Sequence, residues 1–447
     1  MLTGNTVRWI TRRPTRPAEA PPRFNPADFD PPLQTRLLVL QPTPFCNIRC
    51  SYCYLPDRDS KARMNVITAR QAVQRLRDDG LLGPTLTVVW HAGEPLTMPI
   101  CFYAAAFDAV HQAAGPACQV THAVQTNAML INDDWCRLFL QHGVRVGVSV
   151  DGPADLHDAH RLTRHGHATH ARVLAGMTRL RAHGIAFHAI AVVSAATLGR
   201  VADFAAFFEQ QGVQELGCNF DEAEGHNTQS SLVGREQAHA DFLAQLFARS
   251  AASGGALRVR ELARAARLVA QPLPQTRWRG VALPDNAQTL PFAIVNVAWN
   301  GDFGCFSPEL LGQPSAEFAG FVLGNVASSG YFESAQRQPF TGLWSAILRG
   351  VEACRGSCAY FDFCGGGSPV NKFYENGDLG SAETLFCRSM VKRPFDLALG
   401  RAEALRAAQT AAKTATRTAA QAAAQAAAQT ATLATPPAPQ KARRHGL

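Results

Sequence analysis

Along this 447-residue chain, short apolar runs alternate with longer amphipathic stretches. The runs RLLVLQ (36–41), TLTVVWHAG (85–93), CQVTHAVQTN (118–127), VRVGVSVDG (144–152), IAFHAIAVVS (185–194) and ELGCNF (215–220) are β-branched and end in small or polar residues. That pattern predicts short buried strands. The stretches near 67–80, 99–114, 132–142, 169–183 and 199–211 between them read as helices. Six repeated βα units predict a parallel sheet, as an open or closed barrel. Chemistry in such folds sits at the C-terminal strand ends. The unusual segments HAGEP, QTN, SVDG and NFDEAEG fall at those ends.

The remaining stretches differ in texture. Residues 1–33 are rich in Pro and Arg and read as a flexible arm, with the barrel following over 34–232. Residues 233–289 read as connecting helices, and 290–395 as an irregular, Gly-rich, cysteine-bearing region. From about 400 the chain is Ala-, Thr- and Gln-rich and lacks the large apolar residues that a core needs, which predicts a disordered low-complexity tail.

Charge and cysteine content narrow the class. Residues 391–447 hold nine Lys/Arg against two Asp/Glu, so most of the formal +8 lies there and the rest is close to neutral. A solvated extension is expected, not a nucleic-acid surface. There is no apolar run of about 18 residues and no secretory h-region in the first twenty, so neither a membrane span nor export is expected. In the cytoplasmic location this implies, the twelve cysteines read as metal ligands before disulfides. CGGGSP (364–369) lacks the Lys-Ser/Thr step of a phosphate loop.

CNIRCSYC places Cys46, Cys50 and Cys53 within eight residues. Zinc would need a distant fourth ligand. Thiolates are also the ligands of iron–sulfur clusters, and three of them leave one iron of a [4Fe–4S] cluster open. The motif resembles that of the radical SAM enzymes. The resemblance implies that the open iron chelates the amino and carboxylate groups of S-adenosylmethionine, whose reductive cleavage yields a 5′-deoxyadenosyl radical. It further implies Tyr52 near adenine, and Gly93 and Glu94 of AGEP at the amine. Asn127 of QTN lies in another cofactor motif. In SVDGPADLHDAHR it implies Ser149 at ribose and Arg161 at the carboxylate. Ala92 and Ala128 stand where the family has glycines. Asp151-Gly152-Pro153 also reads as a plain turn.

Cys354, Cys358, Cys364 and Cys387 form a second set, complete at four. By itself it fits zinc or a closed [4Fe–4S] cluster. After a radical SAM barrel it resembles a SPASM domain with an auxiliary cluster. Cys305 sits where the family's first SPASM cysteine lies, but Ser329 and Ser368 stand where others are expected. One auxiliary cluster is therefore expected, with Cys305 unassigned. Cys101, Cys118, Cys136 and Cys218 read as small buried residues. The fold class is thus α/β: a partial (β/α)6 radical SAM barrel followed by an irregular cysteine-rich SPASM domain.

Within that group, LVLQPTPFCNIRCSYCYLPDR (38–58), RLTRHGHATH (161–170), FSPELLG (306–312) and CGGGSPVNKFYEN (364–376) are similar to the cyclophane-forming peptide maturases of the glycine-rich-repeat (GrrM) type. This implies a ribosomal precursor peptide as substrate and a reductant such as flavodoxin or ferredoxin. The reaction implied is a carbon–carbon crosslink between an aromatic ring and a β-carbon two residues away. Asp221, Glu222 and Glu224, and also Glu309, are candidate proton acceptors. The crowded His157, His160, His165, His167 and His170 read as a loop over the barrel mouth. The alternatives are another SPASM maturase, such as an anaerobic sulfatase maturase making formylglycine, or a non-catalytic metal-bearing interaction protein.

Overall fold

A computed structural model describes residues 23–433. In chain order its principal strands are β1 (Thr35–Leu40), β2 (Ile48–Cys50), β3 (Leu82–Trp90), β4 (Gln119–Thr126), β5 (Arg145–Ser149), β6 (Arg161–Thr163), β7 (Phe187–Val193), β8 (Glu215–Phe220), β9 (Arg258–Val259), β10 (Ile294–Val297), β11 (Asp302–Cys305) and β12 (Gly324–Asn325). The helices used below are α1 (Val66–Asp78), α2 (Ile100–Ala114), α3 (Asp133–Gln141), α4 (His170–Ala182), α5 (Val201–Gln210), α6 (Glu236–Ala252), α7 (Arg260–Ala270), α8 (Phe340–Ser357), α9 (Pro369–Asn376) and α10 (Arg393–Leu433).

The six alternating units are present as read. Strands β1, β3, β4, β5, β7 and β8 pair in parallel, with α1 to α5 in the crossovers. Local chemistry sets the helix starts. Asn65 caps α1 by accepting from Thr68 N at 2.7 Å, and Asn132 caps α3 by accepting from Trp135 N at 3.0 Å. The apolar stripe of α1, with Ala69, Ala72, Val73 and Leu76, is buried.

The barrel stays open because both edges are extended. The full order is β9-β8-β7-β5-β4-β3-β1-β10-β11-β12. Beyond β1, β10 pairs in parallel, Leu37–Leu40 lying opposite Ile294–Val297. The cysteine-bearing region therefore continues the barrel sheet. Residues through Phe395 form one compact unit.

Two stretches differ from expectation. The first 22 residues of the predicted arm lie outside the described residues, but Phe24, Phe29 and Leu33 are buried. Phe24 packs against Phe29, Phe292, Phe332 and Phe340 at centroid distances of 5.3–6.2 Å. The Pro/Arg composition hid three apolar anchors. The tail, a separate unit from Asp396, is helical through Leu433 and exposed over 403–427. Ala has the highest helix propensity, so this segment forms helix with few large apolar residues. No described helix is long and apolar enough to cross a membrane.

Candidate active site

The C-terminal ends of the barrel strands surround a cavity of about 370 Å³. Cys46, Cys50 and Cys53 form part of its wall. Their loop is held by the short antiparallel pair β2–β6, with Cys50 opposite Arg161. Arg164 donates from Nη1 to the carbonyls of Cys46 and Arg58, both at 3.1 Å. Burial pushes the Cys50 thiol up to about 11 and Cys46 higher still, and each also feels the charge of Cys53. Three thiols at one cavity, two of them raised by burial, suit a cationic centre that would hold them as thiolates. No group of three His, Cys, Asp or Glu side chains among the described residues converges on a single metal ion. A cluster spreads its thiolates wider than one tetrahedral ion does. The open cavity beside them leaves room for a further ligand.

The other motif residues gather on the same walls. Tyr52, Gly93, Glu94, Asn127, Ser149 and Arg161 all line the cavity. Gly93 adopts φ +57°, and a Cβ there would lie 2.5 Å from the carbonyl oxygens of Thr43 and Phe45. Only glycine fits. The buried Glu94 carboxylate accepts from Leu96 N (2.9 Å), Thr126 Oγ1 (2.6 Å) and Asn127 N (2.8 Å), tying two strand ends together. Ser149 Oγ accepts from Gln125 Nε2 at 2.8 Å, and Asn127 Nδ2 donates to Asn47 Oδ1 at 2.7 Å.

The sequence reading missed Asp151 as more than a turn residue. Arg161 donates from Nε and Nη2 to its two oxygens at 2.9 and 3.1 Å, while Tyr52 Oη and Val192 N also donate to it. Burial pushes Asp151 up, but the Arg161 guanidinium outweighs it and holds the carboxyl below its usual range. The remaining guanidinium nitrogen, Nη1, stands 4.0 Å from Cys50 Sγ. His91 and Gln125 also line the cavity unannounced. Burial pushes His91 down to about 4, so it is neutral at pH 7. QTN and HAGEP were visible strand-end segments, but nothing in sequence told which side chains point inward.

The histidine stretch is not a free loop. Buried His157 bonds Thr169 and accepts from Asp151 N, and buried His170 bonds the Gly152 carbonyl. His160 bridges Ser51 and Ser194. Only His165 and His167 of the five are exposed. The segment contains β6, and His160 and Arg164 tie it to the cysteine loop.

Asp221, Glu222, Glu224 and Glu309 line the same cavity. Asp221 is tied down, accepting from Asn227 Nδ2 and Ser231 N, both at 2.8 Å. Glu222 accepts from Asn371 Nδ2 of α9 and bonds Glu224. Burial, with the like charge of Glu309, raises Glu222 to about 7; Glu224 is raised further by burial and by Glu222. Glu309 is also raised by burial, and its Oε2 has no hydrogen-bond partner among the described residues. A second cavity, of about 450 Å³, shares Phe220, Asp221, Glu222 and Phe386 with the first.

The four later cysteines are brought together elsewhere. Cys354 lies in the last turn of α8, Cys358 caps that helix, Cys364 ends the short helix Phe361–Cys364, and Cys387 opens a wide turn. Burial raises Cys387 to about 12, with Cys364, Cys358 and Cys354 adding to it. Gly365, Gly366 and Gly367 all have positive φ, and Asn286 Nδ2 donates to the carbonyls of Cys364 and Gly367 at 3.0 and 2.8 Å. Cys305 sits buried in β11, raised by burial with no contribution from another cysteine. Ser329 bonds Asn325, and Ser368 lines the first cavity with its hydroxyl unpartnered.

Comparison with known proteins places this geometry. Residues 40–208 match the model of the radical SAM superfamily. An uncharacterized protein of Synechocystis sp. is 35% identical over 375 residues, 83% of this chain and 92% of that protein. A serine-type anaerobic sulfatase-maturating enzyme of Bacteroides thetaiotaomicron is 29% identical over 213 residues, 44% of this chain and 50% of that one. Among solved structures, native anSMEcpe with bound AdoMet superimposes with a TM-score of 0.65 at 18% identity, over 82% of this chain and 97% of that one. Streptococcus suis SuiB bound to precursor peptide SuiA gives 0.55 at 13% identity, over 80% and 76%. The family match over residues 40–208 agrees with the open six-unit barrel: this chain carries a domain of the radical SAM superfamily, enzymes that work with a [4Fe–4S] cluster and S-adenosylmethionine.

Proposed function

We propose that this enzyme modifies a ribosomally made precursor peptide, joining an aromatic ring to a β-carbon two residues away. The observation that carries the reading is the pairing of functions across one cavity. Three thiols and the cofactor-motif residues share one cavity with a half-buried carboxylate pair, Glu222–Glu224, with a second cavity adjoining at Glu222. Cys46, Cys50 and Cys53 would hold the cluster that, with S-adenosylmethionine, supplies a radical able to remove a hydrogen atom from the peptide. Tyr52, Gly93, Glu94, Asn127, Ser149 and Arg161 would position S-adenosylmethionine. Arg161, fixed by Asp151, keeps one guanidinium nitrogen toward the thiols.

Once a β-carbon radical has added to the ring, restoring aromaticity needs loss of one electron and one proton. The Glu222–Glu224 pair is suited to take the proton, since an acceptor works best with a pKa near the operating pH. Asp221 is bound to its own loop and serves as its brace. Cys354, Cys358, Cys364 and Cys387 would hold an auxiliary cluster, whose chemistry is one-electron transfer. A flavodoxin- or ferredoxin-like reductant fits this scheme. Co-expression with a short precursor encoded beside the gene tests it: loss of two hydrogens per crosslink supports the reading, and an unmodified peptide refutes it. Formylglycine formation is the second reading, favoured by the similarity to sulfatase-maturating enzymes. Incubation with a sulfatase-derived peptide separates the two.

A further inference from the structure

We infer that Lys372 is the fixed counter-charge of the auxiliary centre, acting through Cys354 to stabilise the reduced cluster. The inference rests on the assignment of Cys354, Cys358, Cys364 and Cys387 to that centre. Lys372 lies in α9 and is only 3% exposed. An ammonium is rarely buried without an anionic partner. No carboxylate pairs with it among the described residues. Its Nζ donates to the Gly350 carbonyl at 2.9 Å and to Cys354 Sγ at 3.4 Å.

The surroundings are built to admit this ammonium. Gly350, one turn before Cys354 on α8, has no Cβ; one placed there would lie 2.8 Å from Lys372 Nζ and 2.3 Å from the Leu379 carbonyl oxygen. Cys354 Sγ itself lies 3.5 and 3.7 Å from the carbonyl oxygens of Ala382 and Gly366, so carbonyl dipoles crowd it and the lysine is its cationic contact. Lys392 provides the contrast. Its charge also reaches Cys354, Cys358 and Cys387, but it is paired with the Glu383 carboxylate at 2.8 Å and does not contact a thiol among the described residues. Lys372 has no such carboxylate. A positive charge held in a low-dielectric site favours the more negative, reduced state of a neighbouring cluster.

The test uses the full chain carrying C46A, C50A and C53A, reconstituted with iron and sulfide, so that the remaining iron reports on the auxiliary centre. Midpoint potential and iron content are measured with Lys372 intact and in K372M, K372Q and K372R. The expected result is a more negative midpoint, or loss of the auxiliary iron, in both neutral variants, with K372R staying near the parent. An unchanged midpoint and iron content in K372M and K372Q overturns the inference while leaving the cluster in place. A K372R shift as large as that of K372M, or a K372Q value equal to the parent, also overturns it, because hydrogen bonding or packing would then suffice. No iron in the parent itself would remove the auxiliary-cluster assignment and this inference together.

Discussion

Ala92 and Ala128 are the two places where this chain replaces glycines of the family motifs, and both sit in the left-handed region, at φ +76° and +61°. An alanine there costs about 1–2 kcal/mol relative to ordinary backbone, and glycine gives back part of that through its greater unfolded-state entropy. A92G is therefore expected to stabilise the protein by about 0.5–1 kcal/mol, seen as a higher Tm. Glu222 supplies a pH signature. Burial raises its folded pKa to about 7 from an ordinary 4.5, so its neutral form is favoured in the fold. Its contribution to stability is complete below about 4.5 and is lost as pH rises through 7. E222Q should flatten that decline, so that the Tm advantage of the variant grows between pH 5 and pH 8. Proton acceptance needs the ionised form, so if Glu222 takes the proton in the proposed crosslink, the rate should rise with pH through about 7 and E222Q should slow it about 100-fold. A pH-independent rate with no loss in E222Q would remove Glu222 from the proton path.

At the scale of elements, the parallel strands were legible because β-branched residues recur in short runs whose alternate positions are buried, bounded by polar ends. The pair β2–β6 was not. Each strand has three residues, 111 positions separate Cys50 from Arg161, and neither carries an alternating pattern. For the same reason Asp151 looked like a turn: its partner lies ten residues on, beyond a short helix. The thiols were visible as spacing, whereas the carboxylate pair depended on Asn371 arriving from α9, 149 residues later. R164A tests the brace. It removes two hydrogen bonds to the cysteine loop, each worth about 0.5–1.5 kcal/mol. Iron should be retained less well at Cys46, Cys50 and Cys53 than at the other four cysteines, as iron quantification after mild chelation would report. Equal loss from both sets would mean that the contact does not hold the loop.

For the whole molecule, the shared sheet makes the barrel and the cysteine-rich region one cooperative body. A chain ended at 289 would leave the β1 edge of Leu37–Leu40 without its partner and Phe24 without Phe292 and Phe340. Exposed apolar edges template aggregation. That fragment is expected in the insoluble fraction, whereas a chain ended after Phe395 retains the first unit whole. Recovery of a soluble, cooperatively melting 1–289 fragment would contradict this.

The same seam has a cost in time. Leu37 emerges from the ribosome long before Ile294, its neighbour across the sheet. At roughly 5–20 residues per second the gap lasts on the order of 10–50 s. Through that interval the nascent barrel offers one naked strand to any other nascent chain nearby. Slower synthesis lengthens the wait and denser ribosome loading multiplies the wrong partners, so yield of this enzyme should respond to holdase supply during translation more than to conditions after release.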